Sequence, residues 1–230
     1  MERTYHQEIF YPTEIDFKQT ESVKIKSKEN KVFIILPHAS YNYIQDILQL
    51  AFNSIKNFNF DLITILSTLQ RPLLDKDKNF DAVTRPMGKI QNSQYSINLF
   101  SLKETNIGVN EDYFIEESAP EIALPFVSHF FKNTPVLELL APEYSSKLSS
   151  LLETIKSQNT NELFIIMDNF TEKTEKFPHE NKKNNYTIEP DTLIPTSGIW
   201  LQAAKGNWEI VKSHKKHYTY CFAIRKEILW

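Results

Sequence analysis

The sequence predicts an α/β fold: a single domain, residues 1–230, on a mixed, mostly parallel sheet with helices on both faces. Two observations carry that prediction. Short apolar runs rich in β-formers recur at 31–36 (KVFIIL), 61–66 (DLITIL), 136–140 and 163–167 (LFIIM), the pattern of strands buried on both faces. Between them lie segments whose apolar residues repeat at helical spacing, and strands alternating with such helices build largely parallel sheets.

Taken in order, the run 31–36 ends at Pro37, and Ile44, Ile47, Leu48, Ala51 and Ile55 then mark one face of a helix over 42–56. After the strand 61–66, the stretch 70–94 is polar and broken by prolines, and reads as loop with a short strand. Residues 95–102 alternate as a strand. Pro120 suits the first position of a helix, in which Pro125 removes a hydrogen bond and predicts a kink. After the strand 136–140, Pro142 is expected to open a helix with Tyr144, Leu148, Leu151, Leu152 and Ile155 on one face. The charged stretch 171–190 has no periodicity and is expected to be a mobile surface loop. A short helix near 199–204 precedes two strands, 208–213 and 218–224, that suggest an antiparallel hairpin.

Composition narrows the function. Four glycines (Gly88, Gly108, Gly198, Gly206) stand where average usage predicts roughly sixteen, and no two are close enough for a phosphate-cradling loop. A net charge of −3 gives no basic excess for gripping nucleic acid. The single cysteine, Cys221, cannot form an internal disulfide or a thiolate zinc site and reads as a buried small hydrophobe. The N-terminal segment lacks the apolar core of a signal peptide, and no apolar stretch is long enough to span a bilayer. A cytoplasmic protein with no membrane partner is the expectation.

Ligands of open α/β sheets sit beyond the carboxyl ends of the strands. The residues to inspect are therefore His38, Ser40 and Tyr41 after the first strand, Ser67 to Gln70 after the second, and Asp168, Asn169 and Phe170 after the run 163–167. His38 suits a metal ligand, a general acid or base, or a histidine hydrogen-bonded inside its turn. Ser40 or Ser197 could pair with it in a hydrolytic arrangement, though no spacing demands it. Glu116-Glu117 reads as a solvated helix entrance, and the segment 214–217 (HKKH) as a charged hairpin tip.

Three stretches share a resemblance: Phe10-Tyr11-Pro12; Pro37-His38-Ala39-Ser40-Tyr41-Asn42-Tyr43; and Glu117-Ser118-Ala119-Pro120-Glu121, continuing to Pro125-Phe126. In this order they resemble the F-Y-P, P-H-A-G-Y-x-Y and E-H-S-L-E-x-x-L-P-F motifs of the Memo family, called AmmeMemoRadiSam system protein B in bacteria. That family is similar in fold to the catalytic subunits of class III extradiol dioxygenases, which use non-haem iron. The resemblance implies a dioxygenase-like sandwich and a pocket where histidines and a cysteine can hold a metal, with His38 at the first histidine.

The departures are as informative. Where the family has L-G-P-S-H, Leu66 is followed by Ser67-Thr68-Leu69-Gln70, and Ser118 replaces the histidine of E-H-S. S-D-F-S-H becomes Asp168-Asn169-Phe170-Thr171-Glu172, and Ser197 beside Gly198 falls at the pocket cysteine. A facial iron site needs three protein ligands on one side of the ion; here one imidazole remains, with Glu121, Asp168 and Glu172 as anionic neighbours. The expectation is a divergent Memo-like protein with a degenerate metal site that binds a small ligand or protein partner through His38, Tyr41, Glu121, Asp168, Asn169 and Ser197. No cofactor is expected. The alternative is a metal-dependent oxidoreductase or hydrolase, with iron or another divalent ion at His38 and a rebuilt carboxylate set.

Overall fold

A computed structural model describes residues 10–12, 14–18, 22–23, 25, 31–102, 104, 106–142, 147–158, 161–172, 186–187, 193–195, 207–215 and 219–226. Its centre is four parallel strands in the order β1 (Lys31–Leu36), β8 (Glu162–Met167), β2 (Leu62–Leu69) and β7 (Val136–Pro142). Leu36, Met167 and Ser67 lie level across β1, β8 and β2. These strands are buried on both faces almost throughout, so their sequences are continuously apolar rather than alternating.

Alternate residues divide between two layers. On one face Ile34, Leu36, Ile63, Ile65, Leu163 and Ile165 pack with α1 (Tyr41–Ile55) and α3 (Ala119–Phe130). On the other, Phe33, Ile35, Leu62, Leu66 and Ile166 pack with α4 (Leu148–Gln158), and Phe33 stacks on its register partner Phe164 at 4.2 Å. Leu148, Leu151, Leu152 and Ile155 supply α4's buried stripe, each worth about 1.5–3 kcal/mol of transfer free energy. The expected mixed sheet with helices on both faces is therefore what forms.

Antiparallel strands extend both sides. β13 (Thr219–Lys226) pairs with β1 and with β12 (Asn207–Lys215), giving the expected C-terminal hairpin, and β10 (Tyr186–Thr187) pairs with β12. Beyond β7 lie β3 (Ala82–Thr84) and β6 (Ile107–Val109), while β4 (Gly88–Gln91) and β5 (Ser96–Leu99) form a short hairpin attached to β7 through β5. The short helix α2 (Asp112–Glu116) precedes α3. At Gly108 a side chain is excluded, because an added Cβ would stand 2.5 Å from the ring of Phe80.

Three sequence readings change. Pro142 does not open a helix: it closes β7 opposite Leu69, at a strand end where a missing N–H is tolerated, and α4 begins at Leu148. The stretch 171–190 is not loop throughout. β9 (Phe170–Glu172) pairs with β11 (Leu193–Pro195) and β13, and β10 lies within the same stretch. The stretch 70–94 holds two short strands rather than one. The expected helix over 199–204 and Tyr144 lie outside the described residues. No described helix is long and apolar enough to cross a membrane.

Candidate functional site

The carboxyl ends of β1 and β8 place three of the six expected residues side by side. Pro37 ends the β1 ladder, whose last carbonyl, Leu36 O, accepts from Asp168 N at 3.0 Å. Asn169 then clasps the next peptide: its Oδ1 accepts from His38 N at 3.1 Å and its Nδ2 donates to His38 O at 2.9 Å. An amide side chain thus copies a strand partner for one residue and fixes the backbone of His38 where the chain turns towards α1. The imidazole is partly buried, and its Nδ1 is enclosed with no hydrogen-bond partner. Burial pushes the imidazole below its ordinary pKa, while the nearby Asp168 carboxylate pulls the other way. A neutral imidazole beside an almost fully buried carboxylate can accept or donate one hydrogen bond, or shuttle a proton.

Tyr41 and Glu121 belong to a second polar group beneath α1 and α3. Tyr41 N donates to Phe10 O at 2.7 Å, and its hydroxyl donates to Ile122 O at 2.6 Å. Its ring stands 5.7 Å from that of Tyr11. The Tyr11 hydroxyl donates to Glu121 Oε1 at 2.6 Å and accepts from Asn92 Nδ2 at 2.8 Å. Burial raises the pKa of Tyr11, Tyr41 and Tyr95, and the charge of Glu121 adds to it in all three. These tyrosines stay protonated, which is the state that donates to a carboxylate. Phe10-Tyr11-Pro12 and Glu121 are thereby joined by one hydrogen bond. Asp168 and Asn169 meet His38, Glu121 meets Tyr11, and Tyr41 links the two groups through its place just after His38.

Sequence reasoning missed a buried ion pair and a buried carboxyl. Arg85, just after β3, forms an ion pair with Glu138, Nε lying 2.8 Å from Oε2, with both side chains almost wholly buried and the guanidinium 4.7 Å above the Phe114 ring. The usable signal was a glutamate in the middle of the apolar run Val136-Leu137-Glu138-Leu139-Leu140, since a strand buried on both faces can hold a carboxylate only with a partner. Glu117, read as solvated, is buried; desolvation raises its pKa, against which the Ala119 and Gln70 backbones and Arg71 act. Its neighbour Glu116 remains exposed and pairs with Arg71. Position in the turn before α3, with one glutamate facing inward, separates the two.

Among the described residues, no three His, Cys, Asp or Glu side chains come together to hold a metal ion. Among the described residues His38 and Asp168 supply two donors, short of the three that a facial iron site needs. Ser197 and Gly198 lie outside the described residues, and of Glu172 only its strand position is described. Compared with known proteins, the chain matches no family model and no curated protein.

Proposed function

We propose that this chain is a divergent Memo-like protein, with a dioxygenase-like arrangement of its sheet, that binds a small ligand over the carboxyl ends of β1, β8 and β2. The observation that carries the reading is His38: its backbone is clasped by Asn169, its ring stands beside Asp168, and its enclosed Nδ1 has no partner. A buried polar atom left without a partner costs about 1–3 kcal/mol, and a ligand that pairs with it recovers that cost. The three matched motifs support the family reading, because each sends a residue to one buried group: Tyr11 bonds Glu121, and Tyr41, from the motif that holds His38, lies against the Tyr11 ring and bonds Ile122 O. The single cysteine fits work in the reducing cytoplasm.

A second reading has one observation in its favour. The charge of Asp168 acts on an imidazole that burial holds below its ordinary pKa and whose Nδ1 makes no hydrogen bond, so the site could also take a proton from the bound ligand. Glu121, engaged with Tyr11, is not part of that pair.

Protein purified without an affinity tag, alongside His38→Ala, tests the first reading by elemental analysis and native mass spectrometry. A bound small molecule lost in the variant, with metal far below one equivalent in both, is the expected result. Near-stoichiometric iron, copper or zinc that disappears with His38→Ala would overturn it.

A further inference from the structure

The carboxyl edge holds one further group that the site so far described does not use. Arg71 is one of only four arginines in the chain and stands two residues beyond the end of β2. β8 alone separates β2 from β1, and strands lie about 4.8 Å apart, so the ends of β1 and β2 are about 10 Å apart. That is the span of a small organic molecule. The turn into α3 reaches the end of β2, where Glu117 interacts with the Gln70 backbone and with Arg71.

The guanidinium of Arg71 is held but not used up. Its carbon sits 5.2 Å from the centroid of the Tyr113 ring, and Nη1 pairs with Glu116 Oε2 at 2.5 Å. Its Nε is buried with no hydrogen-bond partner. Nε–H and the Nη2–H beside it form the side-on fork that matches the two oxygens of a carboxylate. Glu116 occupies the other end of the group, and its own side chain is mostly exposed, so that pair is easily exchanged with water.

We propose that Arg71 is the carboxylate-recognition residue of this site, and that the ligand is a small monocarboxylate whose other end lies towards His38. The inference rests on the reading of the carboxyl edge as a ligand site. The local charge selects among anions: once exposed Glu116 turns into water, and with burial pushing the Glu117 carboxyl towards its neutral form, one guanidinium balances a singly charged, planar group and leaves half of a dianion such as a phosphate monoester unbalanced.

Three probes sharing one ring separate the possibilities: benzoate, its neutral counterpart benzamide, and the dianion phenylphosphonate. The full chain, labelled with ¹⁵N, is titrated with each while the Arg71 Nε–H and His38 ring resonances are followed, the former assigned from its loss in Arg71→Lys. Benzoate is expected to shift the Nε–H resonance along a saturating curve, benzamide to leave it in place, and phenylphosphonate to act far more weakly. Arg71→Lys is expected to lower benzoate affinity at least about tenfold, since it deletes the fork but keeps the charge. An Nε–H resonance unmoved by benzoate, undiminished binding in Arg71→Lys, or an equal response to phenylphosphonate would each overturn the assignment. The direct resonance in the unaltered protein keeps the test valid should Arg71→Lys fold poorly. Movement of the Arg71 signal without the His38 signals would instead sink the shared-site reading while leaving Arg71 its carboxylate.

Discussion

The two ends of β8 each bury a titratable group with one atom left unpartnered, and they differ in how the rest of the group is treated. At the amino end, Glu162 is fully enclosed: Thr64 Oγ1 donates to its Oε1 at 2.5 Å, Oε2 has no partner, and neighbouring Lys31 directs its ammonium to the Lys156 carbonyl. At the carboxyl end, His38 keeps part of its surface in solvent and has its backbone, not its ring, fixed by Asn169. The same defect therefore has two meanings. An orphaned atom sealed in the core weakens the fold, whereas one on a rigidly held residue that is itself partly exposed is within reach of a ligand.

The linkage to pH has opposite sign at the two ends. Burial raises Glu162 from the usual carboxyl value of 4.5 to about 7. The folded state then binds its proton more tightly than the unfolded chain, so stability is full below about pH 4.5 and falls as pH rises through 7. His38 is lowered from 6.5, so its contribution is full above about pH 6.5 and declines as pH falls.

The largest expected effect breaks the amino end. Glu162→Gln removes the charge and should stabilise the protein by about 2–3 kcal/mol above pH 7, with the gain fading as pH falls from 7 and gone by about 4.5. Denaturant unfolding of both proteins across that range measures it, and a pH-independent difference would refute the titration of Glu162. Next in size, Thr64→Val keeps the volume but takes away the hydroxyl that donates to Glu162 Oε1. A loss of about 2 kcal/mol at pH 8 follows from stranding a buried acceptor, and in the Glu162→Gln background most of it should vanish.

Smaller changes sharpen the carboxyl end. Asn169→Ala deletes the clasp on His38 and should cost about 1 kcal/mol of stability; any ligand held by His38 should weaken more than that, because the ring loses its fixed position. Equal losses in stability and binding would make Asn169 purely structural. The mildest variant, Asp168→Asn, withdraws the charge that supports the protonated imidazole, so His38 should titrate at lower pH, as read from its ring resonances.

What the sequence made legible was whatever a local pattern encodes. The runs 31–36 and 163–167 became β1 and β8 within a residue, the periodicity of Ile44 to Ile55 became α1, and the last two strands pair as expected. The three-residue strands β3 and β6 are too short for any period to show, and the Pro-broken stretch around Arg85-Pro86 hid the first of them. His38, Asp168 and Asn169 could be found because they follow readable strands. That Glu138 needs a partner could be read from its apolar run, but that the partner is Arg85, or that Arg71 meets Glu117, could not, since each pair is made by topology between distant segments.

The sheet order also sets a timetable. β1, formed from residues 31–36, lies between β8 and β13, drawn from residues 162–167 and 219–226. A chain emerging from the ribosome holds β1 without β8 until residues 162–167 have been made, and without β13 until residues 219–226 have. Such long-range pairing folds slowly and leaves an apolar edge exposed while it waits. His38 is the second residue beyond β1 and its clasp comes from Asn169, just after β8, so the clasp closes late in folding, once β8 has docked. A nascent chain stalled before β8 would therefore lack the site entirely and present KVFIIL as a bare strand.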